Sequence, residues 1–261
     1  MIKNTLDPIL FSFEIFGFNI DLRIYSLVFI IGALVVYYIL NKNRNKFNLT
    51  EEDIDGMIFF GFINMIIFAR LINVIFYNPS YYLQNLIRIF RVWEGGLSIH
   101  GGIIGFLLVV LYYSKKNNFS MIQLLNVIIK PLTLILALGR IANFFNHEIV
   151  GIETSVPWCV VFKTYSGCRH PAQLYEALVY IIIFAILVLN DKLKNKLFSD
   201  KLYFTIIFYS ISRFFIEYLK TFEFIGPMTM GQYLSILTII ITTYFYHKKN
   251  KKNKKEIDKK D

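Results

Sequence analysis

Across 261 residues the chain has only two cysteines, two tryptophans, six prolines and four histidines. Charged residues make up 18% of it. Two cysteines, Cys159 and Cys168, nine positions apart, match no zinc-ligand spacing, so a structural zinc module is excluded. The run "HEIVG" (147–151) starts as a zinc-protease helix does, but Gly151 stands where the second histidine belongs. No serine sits in a G-x-S-x-G setting, which leaves a serine esterase without its nucleophile turn. The chain also lacks a Gly/Ser linker, a low-complexity connector and an internal repeat, so a second domain has no boundary to start from.

What is abundant is apolar and comes in blocks. The composition is 56% hydrophobic and 17% aromatic, with a mean hydropathy of +0.51. "SLVFIIGALVVYYIL" (26–40), "GMIFFGFINMIIFA" (56–69), "ALVYIIIFAILVLN" (177–190) and "YLSILTIIITTYFY" (233–246) contain no charge. About 20 such residues in a helix cross a bilayer core of about 30 Å. The pattern predicts seven spans, near 20–40, 54–77, 97–113, 121–145, 172–190, 201–219 and 229–246. The expected fold class is therefore all-α: a polytopic integral membrane protein with residues 1–246 as one transmembrane domain and 247–261 as a basic tail. Asp7 and Glu14 interrupt the N-terminal stretch, and no small-residue cleavage site follows it, so a removable signal peptide is not expected.

Lysine and arginine set the expected orientation. The N-terminal tail and loops 78–96, 146–170 and 220–228 hold six of them, Lys220 among them; the opposite loops and the tail hold seventeen, and Arg23, Arg70, Lys130, Arg140 and Arg213 fall inside spans. The basic side is cytoplasmic, with the N-terminus outside and the C-terminus inside. Much of the net charge of +10 comes from the tail "HKKNKKNKKEIDKKD". A solvated tail that fixes topology accounts for it more simply than contact with anionic lipid or nucleic acid. Segment 78–96 places Leu83, Leu86, Ile87 and Phe90 at helical spacing, which predicts an interfacial helix. Segment 146–170, with Gly151, Pro157, Gly167 and the run "WCVVF", predicts a small structured outer-face segment. It contains both cysteines, on the side where a disulfide can form, paired or incidental.

Against this apolar background several polar sets stand out. "GRIANFFNHE" (139–148) follows "PLTLILAL" and carries Arg140, Asn143, Asn146 and Glu148, with Arg140 and Glu148 two turns apart if the helix continues. "GGLSIHGGIIG" (95–105) surrounds His100 with Gly95, Gly96, Gly101 and Gly102. "RHPAQLYEA" (169–177) opens a span at Pro171 and carries Gln173, Tyr175 and Glu176. "SRFFIEYLK" (212–220) sets Arg213 and Glu217 at i and i+4. "DLRIYS" (21–26) puts Arg23 and Tyr25 at the start of span one. Each set alone is ordinary: a satisfied ion pair, a helix-packing glycine stretch, a helix start. Charges inside a bilayer are costly, however, and normally face a cavity. By the seven-span topology the sets from five helices reach one depth, which predicts a polar cavity open to the outer leaflet. Two arginines there suit an anionic headgroup, with paired donors for phosphate. A lipid-modifying enzyme, a lipid or peptide transporter, and an assembly protein with buried ion pairs all remain compatible. A transporter would tend to show repeated halves with midplane sites.

"GRIANFFNHE", "VWEGGLSIHGGIIG", "RHPAQLYEA", "SRFFIEYLK" and "MTMGQYLSI" occur in the order and spacing of the prolipoprotein diacylglyceryl transferase family, which the chain resembles over all but its lysine tail. Gly139, Arg140, Asn143, Asn146 and Glu148 match its G-R-x-x-N-x-x-N-x-E pattern. The resemblance implies transfer of a diacylglyceryl group from phosphatidylglycerol to the lipobox cysteine thiol of a preprolipoprotein signal peptide. The site would face outward from a bacterial cytoplasmic (inner) membrane, with no metal, nucleotide or other cofactor and no nucleic acid. By position, Arg140 would bind the lipid phosphate, Arg213 would stabilise the leaving phosphate, and His100 would be the base for the thiol. Tyr25, Asn143, Asn146, Glu148 and Glu217 would shape the headgroup site, with Gln173 and Glu176 in support and Gly101 beside His100 among the substrate-binding positions. The chain departs from the pattern at Ala142 and His147, where glycine is usual, at Asn126 for aspartate and at Lys220 for arginine.

Overall fold

The computed structural model describes residues 2–5, 9–15, 18–192, 200–222 and 224–257. In chain order its strands are β1 (Ile2–Asn4), β2 (Ile9–Ile15), β3 (Phe18–Arg23), β4 (Val160–Phe162), β5 (Cys168–Arg169), β6 (Phe224–Ile225) and β7 (Met228–Thr229). Its helices are α1 (Ile24–Lys42), α2 (Glu51–Ile72), α3 (Pro79–Gln84), α4 (Ile99–Lys116), α5 (Met121–Phe145), α6 (Ala172–Lys192), α7 (Lys201–Ile216) and α8 (Met230–Ile257). Among the described residues, five segments are long and apolar enough to cross a membrane: Ile24–Lys42, Glu51–Tyr77, Met121–Phe145, Ala172–Lys192 and Lys201–Leu219. Leu34, Phe59, Phe62 and Leu178 on these segments are each more than half exposed, a surface suited to lipid rather than water. The protein is a mostly helical, multi-pass membrane protein.

The chain divides into two compact units, residues 33–128 and residues 1–32 with 129–261. In the first, α2 and α4 pack backbone to backbone. A Cβ at Gly101 would strike the Phe68 carbonyl, and one at Gly105 the Asn64 carbonyl. Leu40, Phe47, Ile54, Met57, Val110, Tyr113, Leu124 and Ile128 form the core beneath this contact. Thr50 and Asp53 cap α2 reciprocally, each side chain taking the other's backbone N–H at 3.1 Å.

Segment 78–96 is not the single interfacial helix that its spacing predicts. It breaks at Asn85 (φ −137°, ψ 60°) into α3 and two short 3-10 turns, Leu86–Ile89 and Val92–Glu94. The physical reason is Arg70, which is buried on α2. Its guanidinium donates to the carbonyls of Ile89 (2.9 Å), Gly95 (2.6 Å), Gly96 (3.2 Å), Arg91 (3.0 Å) and Arg88, so the loop's carbonyls turn inward to a cation rather than up a helix. Leu83, Leu86, Ile87 and Phe90 all stay exposed.

In the other unit, α5, α6 and α7 carry a core of Ala137, Tyr180, Ile183 and Leu187 with Phe204 and Phe208. A three-stranded sheet runs β1-β4-β5, with β1 parallel to β4 and β4 antiparallel to β5. Asn4 donates from Nδ2 to the Phe144 carbonyl at 2.7 Å, occupying one of the free carbonyls at the end of α5. Cys159 and Cys168 are disulfide-bonded, with Cα atoms 5.5 Å apart. The expected all-α class and a first span from residue 20 need correction here: β2 and β3 pair as an antiparallel hairpin and α1 starts at Ile24, so Arg23 lies on a strand. The connector expected over 190–201 and the end of the basic tail lie largely outside the described residues.

Candidate active site

The site in this second unit starts with the periodicity of α6. Gln173, Glu176, Tyr180, Ile183 and Leu187 recur every three or four residues and are all buried. The inward stripe of α6 is therefore polar for its first turn and apolar afterwards. Arg213 occupies the last turn of α7, Glu217 the 3-10 turn that follows, and Lys220 the residue after that turn.

These helix ends build an alternating row of charges. Arg140 Nε lies 2.8 Å from Glu176 Oε2, and Glu176 Oε1 is 2.8 Å from Lys220 Nζ. Lys220 Nζ is 3.0 Å from Glu217 Oε2, and Glu217 Oε2 is 3.9 Å from Arg213 Nε. The middle of the row is out of solvent, with side-chain exposures of 0% for Glu176 and 2% for Glu217 and Lys220. The ends are more open, at 20% for Arg140 and 25% for Arg213. Buried charges persist only when paired, so this row is one interdependent structure.

Arg140 also faces the polar turn that ends α5. Its guanidinium donates to Asn143 Oδ1 at 3.4 Å and to the Tyr209 hydroxyl at 3.3 Å, and Tyr209 stacks on Tyr180 with ring centroids 4.5 Å apart. Asn143 Nδ2 donates to Glu148 Oε2 at 2.8 Å and Asn146 Nδ2 to Glu148 Oε1 at 3.3 Å, while Gln173 Nε2 holds the Glu148 main-chain carbonyl. Arg140 and Glu148 do not share a helix face, as a continued helix would require. The helix ends at Phe145, and His147 (φ 57°) and Ile149 (φ 55°) turn the chain back on either side of Glu148. That left-handed conformation costs an L-residue roughly 1–3 kcal/mol, a cost that a glycine would not meet.

A short extended segment then ties the blocks together. Gly151 N donates to the His170 carbonyl at 3.0 Å, Ile152 N to the Leu219 carbonyl at 2.9 Å, and Thr221 Oγ1 to the Val150 carbonyl at 3.1 Å. A Cβ at Gly151 would lie 2.5 Å from the His170 carbonyl oxygen and 2.7 Å from that of Leu219, so only glycine passes. Tyr25, half-buried at the start of α1, is within electrostatic reach of Arg140 and Glu148.

Nine of the predicted site residues therefore lie in one network or next to it: Tyr25, Arg140, Asn143, Asn146, Glu148, Gln173, Glu176, Glu217 and, at the end of the charge row, Arg213. His100 and Gly101 lie on α4 in the other unit. There His100 Nδ1 is 3.4 Å from the Tyr77 hydroxyl, and Gly101 packs against Phe68. Sequence reasoning missed Tyr209 and the place of Lys220, which it counted with the outer loops. Two carboxylates inside spans, one of them three residues before a lysine, are the signal that could have found Lys220.

The prolipoprotein diacylglyceryl transferase family profile matches residues 8–247. The chain belongs to that family. Curated relatives called phosphatidylglycerol–prolipoprotein diacylglyceryl transferase include one from Geobacter sulfurreducens, 34% identical over 240 residues, covering 88% of this chain and 90% of the relative. One from Haemophilus influenzae (strain PittEE) is 37% identical over 244 residues, covering 90% and 89%. One from Wolbachia pipientis subsp. Culex pipiens (strain wPip) is 33% identical over 261 residues, covering 93% and 94%. The family match takes in both units and ends at the start of the lysine tail.

Within the charge row, Arg213 is the cation least committed to the protein. Among the described residues its buried Nε has no hydrogen-bond partner, and the Glu217 contact is too long for one. A guanidinium in that state can take an anion without first breaking a strong pair.

Proposed function

We propose that this member of the family transfers the diacylglyceryl group of phosphatidylglycerol to the lipobox cysteine of a preprolipoprotein. The observation that carries the reading is the row from Arg140 to Arg213, tight at one end and loose at the other, in a chain of this family. Seven spans, the five above with α4 and α8, would place this row towards the outer leaflet of the bacterial inner membrane. The single transmembrane domain would cover residues 1–246, with the N-terminus outside and the basic tail in the cytoplasm.

In the reaction the thiol sulfur attacks the glycerol carbon that carries the phosphate ester. A C–S bond forms, the C–O bond breaks, and glycerol phosphate leaves with the electron pair. Arg140 binds the lipid phosphate, and Arg213 meets the negative charge that grows on the leaving group. Fixed cations in a poorly hydrated site stabilise such charge strongly. A free thiol with a pKa of about 8.5 is mostly protonated at neutral pH, so the reaction needs a proton acceptor. His100, with Gly101 beside it, takes that role from the resemblance alone. Tyr25, Asn143, Asn146, Glu148 and Glu217 shape the headgroup site, and Gln173 and Glu176 hold it in place.

The test is mass spectrometry of a lipobox peptide incubated with the purified protein and phosphatidylglycerol. A cysteine-dependent gain of one diacylglyceryl unit is expected, falling about 10²–10³-fold in Arg213→Gln. No gain from folded protein would favour a transporter. Full activity in Arg213→Gln would remove Arg213 from the site.

A further inference from the structure

At the start of α8 the backbone of Gly231 runs against the Glu217 carboxylate. A Cβ added there would overlap Oε1 and the carboxyl carbon and stand 2.9 Å from Oε2. Gly231 has no positive φ, so nothing in its backbone conformation asks for glycine. The space is taken by Glu217 instead.

A flexible side chain normally swings clear of such an overlap. Here both parties are held. Glu217 is buried, and its Oε2 is engaged by Lys220 at 3.0 Å. The start of α8 is pinned by a reciprocal cap, in which Thr229 N donates to Gln232 Oε1 at 2.9 Å and Gln232 N to Thr229 Oγ1 at 3.3 Å. Gln232, fully buried, also donates from Nε2 to the Phe214 carbonyl of α7 at 3.3 Å. The exit open to the carboxylate is therefore away from α8. Oε1 is nearest the added carbon and Oε2 farthest, so the group moves with Oε2 leading, and Oε2 is the oxygen that faces Lys220 and Arg213.

We propose that Gly231 is a positioning residue for the transfer reaction: the missing side chain lets Glu217 sit back against α8, leaving Arg213 at 3.9 Å and available to an anionic headgroup. The inference rests on the function proposed above. A carboxylate driven towards Arg213 would form the short charge-assisted pair that is now absent and compete with the lipid phosphate for the same donors. Gly231 thus sets substrate affinity through Glu217 without touching substrate.

The experiment compares wild type, Gly231→Ala, Glu217→Asp and the double variant in mixed micelles. Thioether formation gives KM and kcat, and native mass spectrometry reads retained phosphatidylglycerol. Gly231→Ala is expected to raise KM for the lipid about tenfold with a smaller change in kcat, and to retain less lipid. Glu217→Asp, one methylene shorter, should impair the wild type yet restore most of the KM lost in Gly231→Ala, a rescue that a merely structural glycine would not give. If Gly231→Ala does not accumulate, the double variant should. Wild-type KM and lipid retention in Gly231→Ala, no rescue by Glu217→Asp, or failure of both variants to accumulate would overturn the proposal. A wild type that makes no product would overturn the transferase reading instead, and lipid retention would still decide the role of Gly231.

Discussion

Replacing Lys220 with methionine tests whether the charge row is one structure. The two side chains have similar length, so the substitution removes the charge with little change in volume. Lys220 Nζ is shared between Glu176 at 2.8 Å and Glu217 at 3.0 Å, and none of the three side chains is more than 2% exposed. Without the lysine, three carboxylates (Glu148, Glu176 and Glu217) face two cations, Arg140 and Arg213. Arg140 still answers Glu176 at 2.8 Å, but Glu217 keeps only the 3.9 Å contact with Arg213. Removing one partner of a buried pair costs about 3–5 kcal/mol, because a charge is left unpaired out of water. For a domain of this size that is a fall of about 6–20 °C in the unfolding midpoint, at about 2–4 °C per kcal/mol. The assay is thermal unfolding of the purified protein in one fixed detergent, with Lys220→Arg alongside. The arginine variant keeps the charge and should lose less than half as much. A methionine variant melting within about 2 °C of wild type would refute the reasoning, since it would mean that the two glutamates do not depend on this cation.

Two further outcomes follow from the same kind of accounting. Arg70→Met removes donors from the carbonyls of Arg88, Ile89, Arg91, Gly95 and Gly96 at once. Some of those carbonyls regain water, so the net loss is about 3 kcal/mol, seen as roughly hundredfold faster hydrogen exchange over 86–96 with α5 to α8 unchanged; unchanged exchange in that loop would count against a structural Arg70. The Cys159–Cys168 bond closes a short loop carrying β4 and β5, so Cys159→Ser/Cys168→Ser should cost about 2–3 kcal/mol and loosen 151–170. In the wild type, both thiols should take up alkylating reagent only after reduction; labelling without reductant would show that the bond is not formed.

The membrane-spanning character was legible because a water-soluble domain interleaves its apolar residues with charges and seldom runs about 20 residues without one. The core of the site was legible for a related reason: Arg140, Glu176 and Glu217 interrupt such runs, and a charge there needs a partner. The rest was hidden from the sequence. Segment 78–96 carries a helical apolar period, and no local signal says that an arginine on α2 will collect its carbonyls; that is a tertiary effect overriding propensity. The exception is the β2–β3 hairpin, which was open to reading: Phe11, Phe13 and Ile15 alternate with Ser12 and Glu14, and Phe18, Ile20 and Leu22 with Asn19, Asp21 and Arg23, a period of two overlooked beside the span that follows. Lys220 follows a span directly, where a lysine ordinarily marks the interface, so counting charges by side gave no hint that it is buried between two glutamates. Gly231 looked like any glycine near a helix start, because close approach between a backbone and a carboxylate is a property of the fold and not of the neighbouring residues.

The unequal links of the row bear on how the two arginines would divide the work. The formal charges of Arg140, Arg213 and Lys220 equal in number those of Glu148, Glu176 and Glu217. On the proposed reaction a phosphate diester enters with one negative charge, and a phosphate monoester that can carry two leaves. Only interactions that strengthen along that path speed the chemical step; those equal at both ends improve binding alone. Arg140 is held by Glu176, Asn143 and Tyr209, so it has little freedom to follow the growing charge. Arg213, whose ion pair with Glu217 is long and whose other charged or polar neighbours, Tyr209 and Glu176, act on it without a hydrogen bond among the described residues, can move towards the leaving phosphate as its charge rises. Substitution at Arg140 should therefore weigh on KM and on stability together, and substitution at Arg213 on kcat as well as on KM. Tight at Arg140 and loose at Arg213, the row can keep one cation for recognition and let the other add to catalysis after it has helped to bind, with Glu217 deciding how free the second remains.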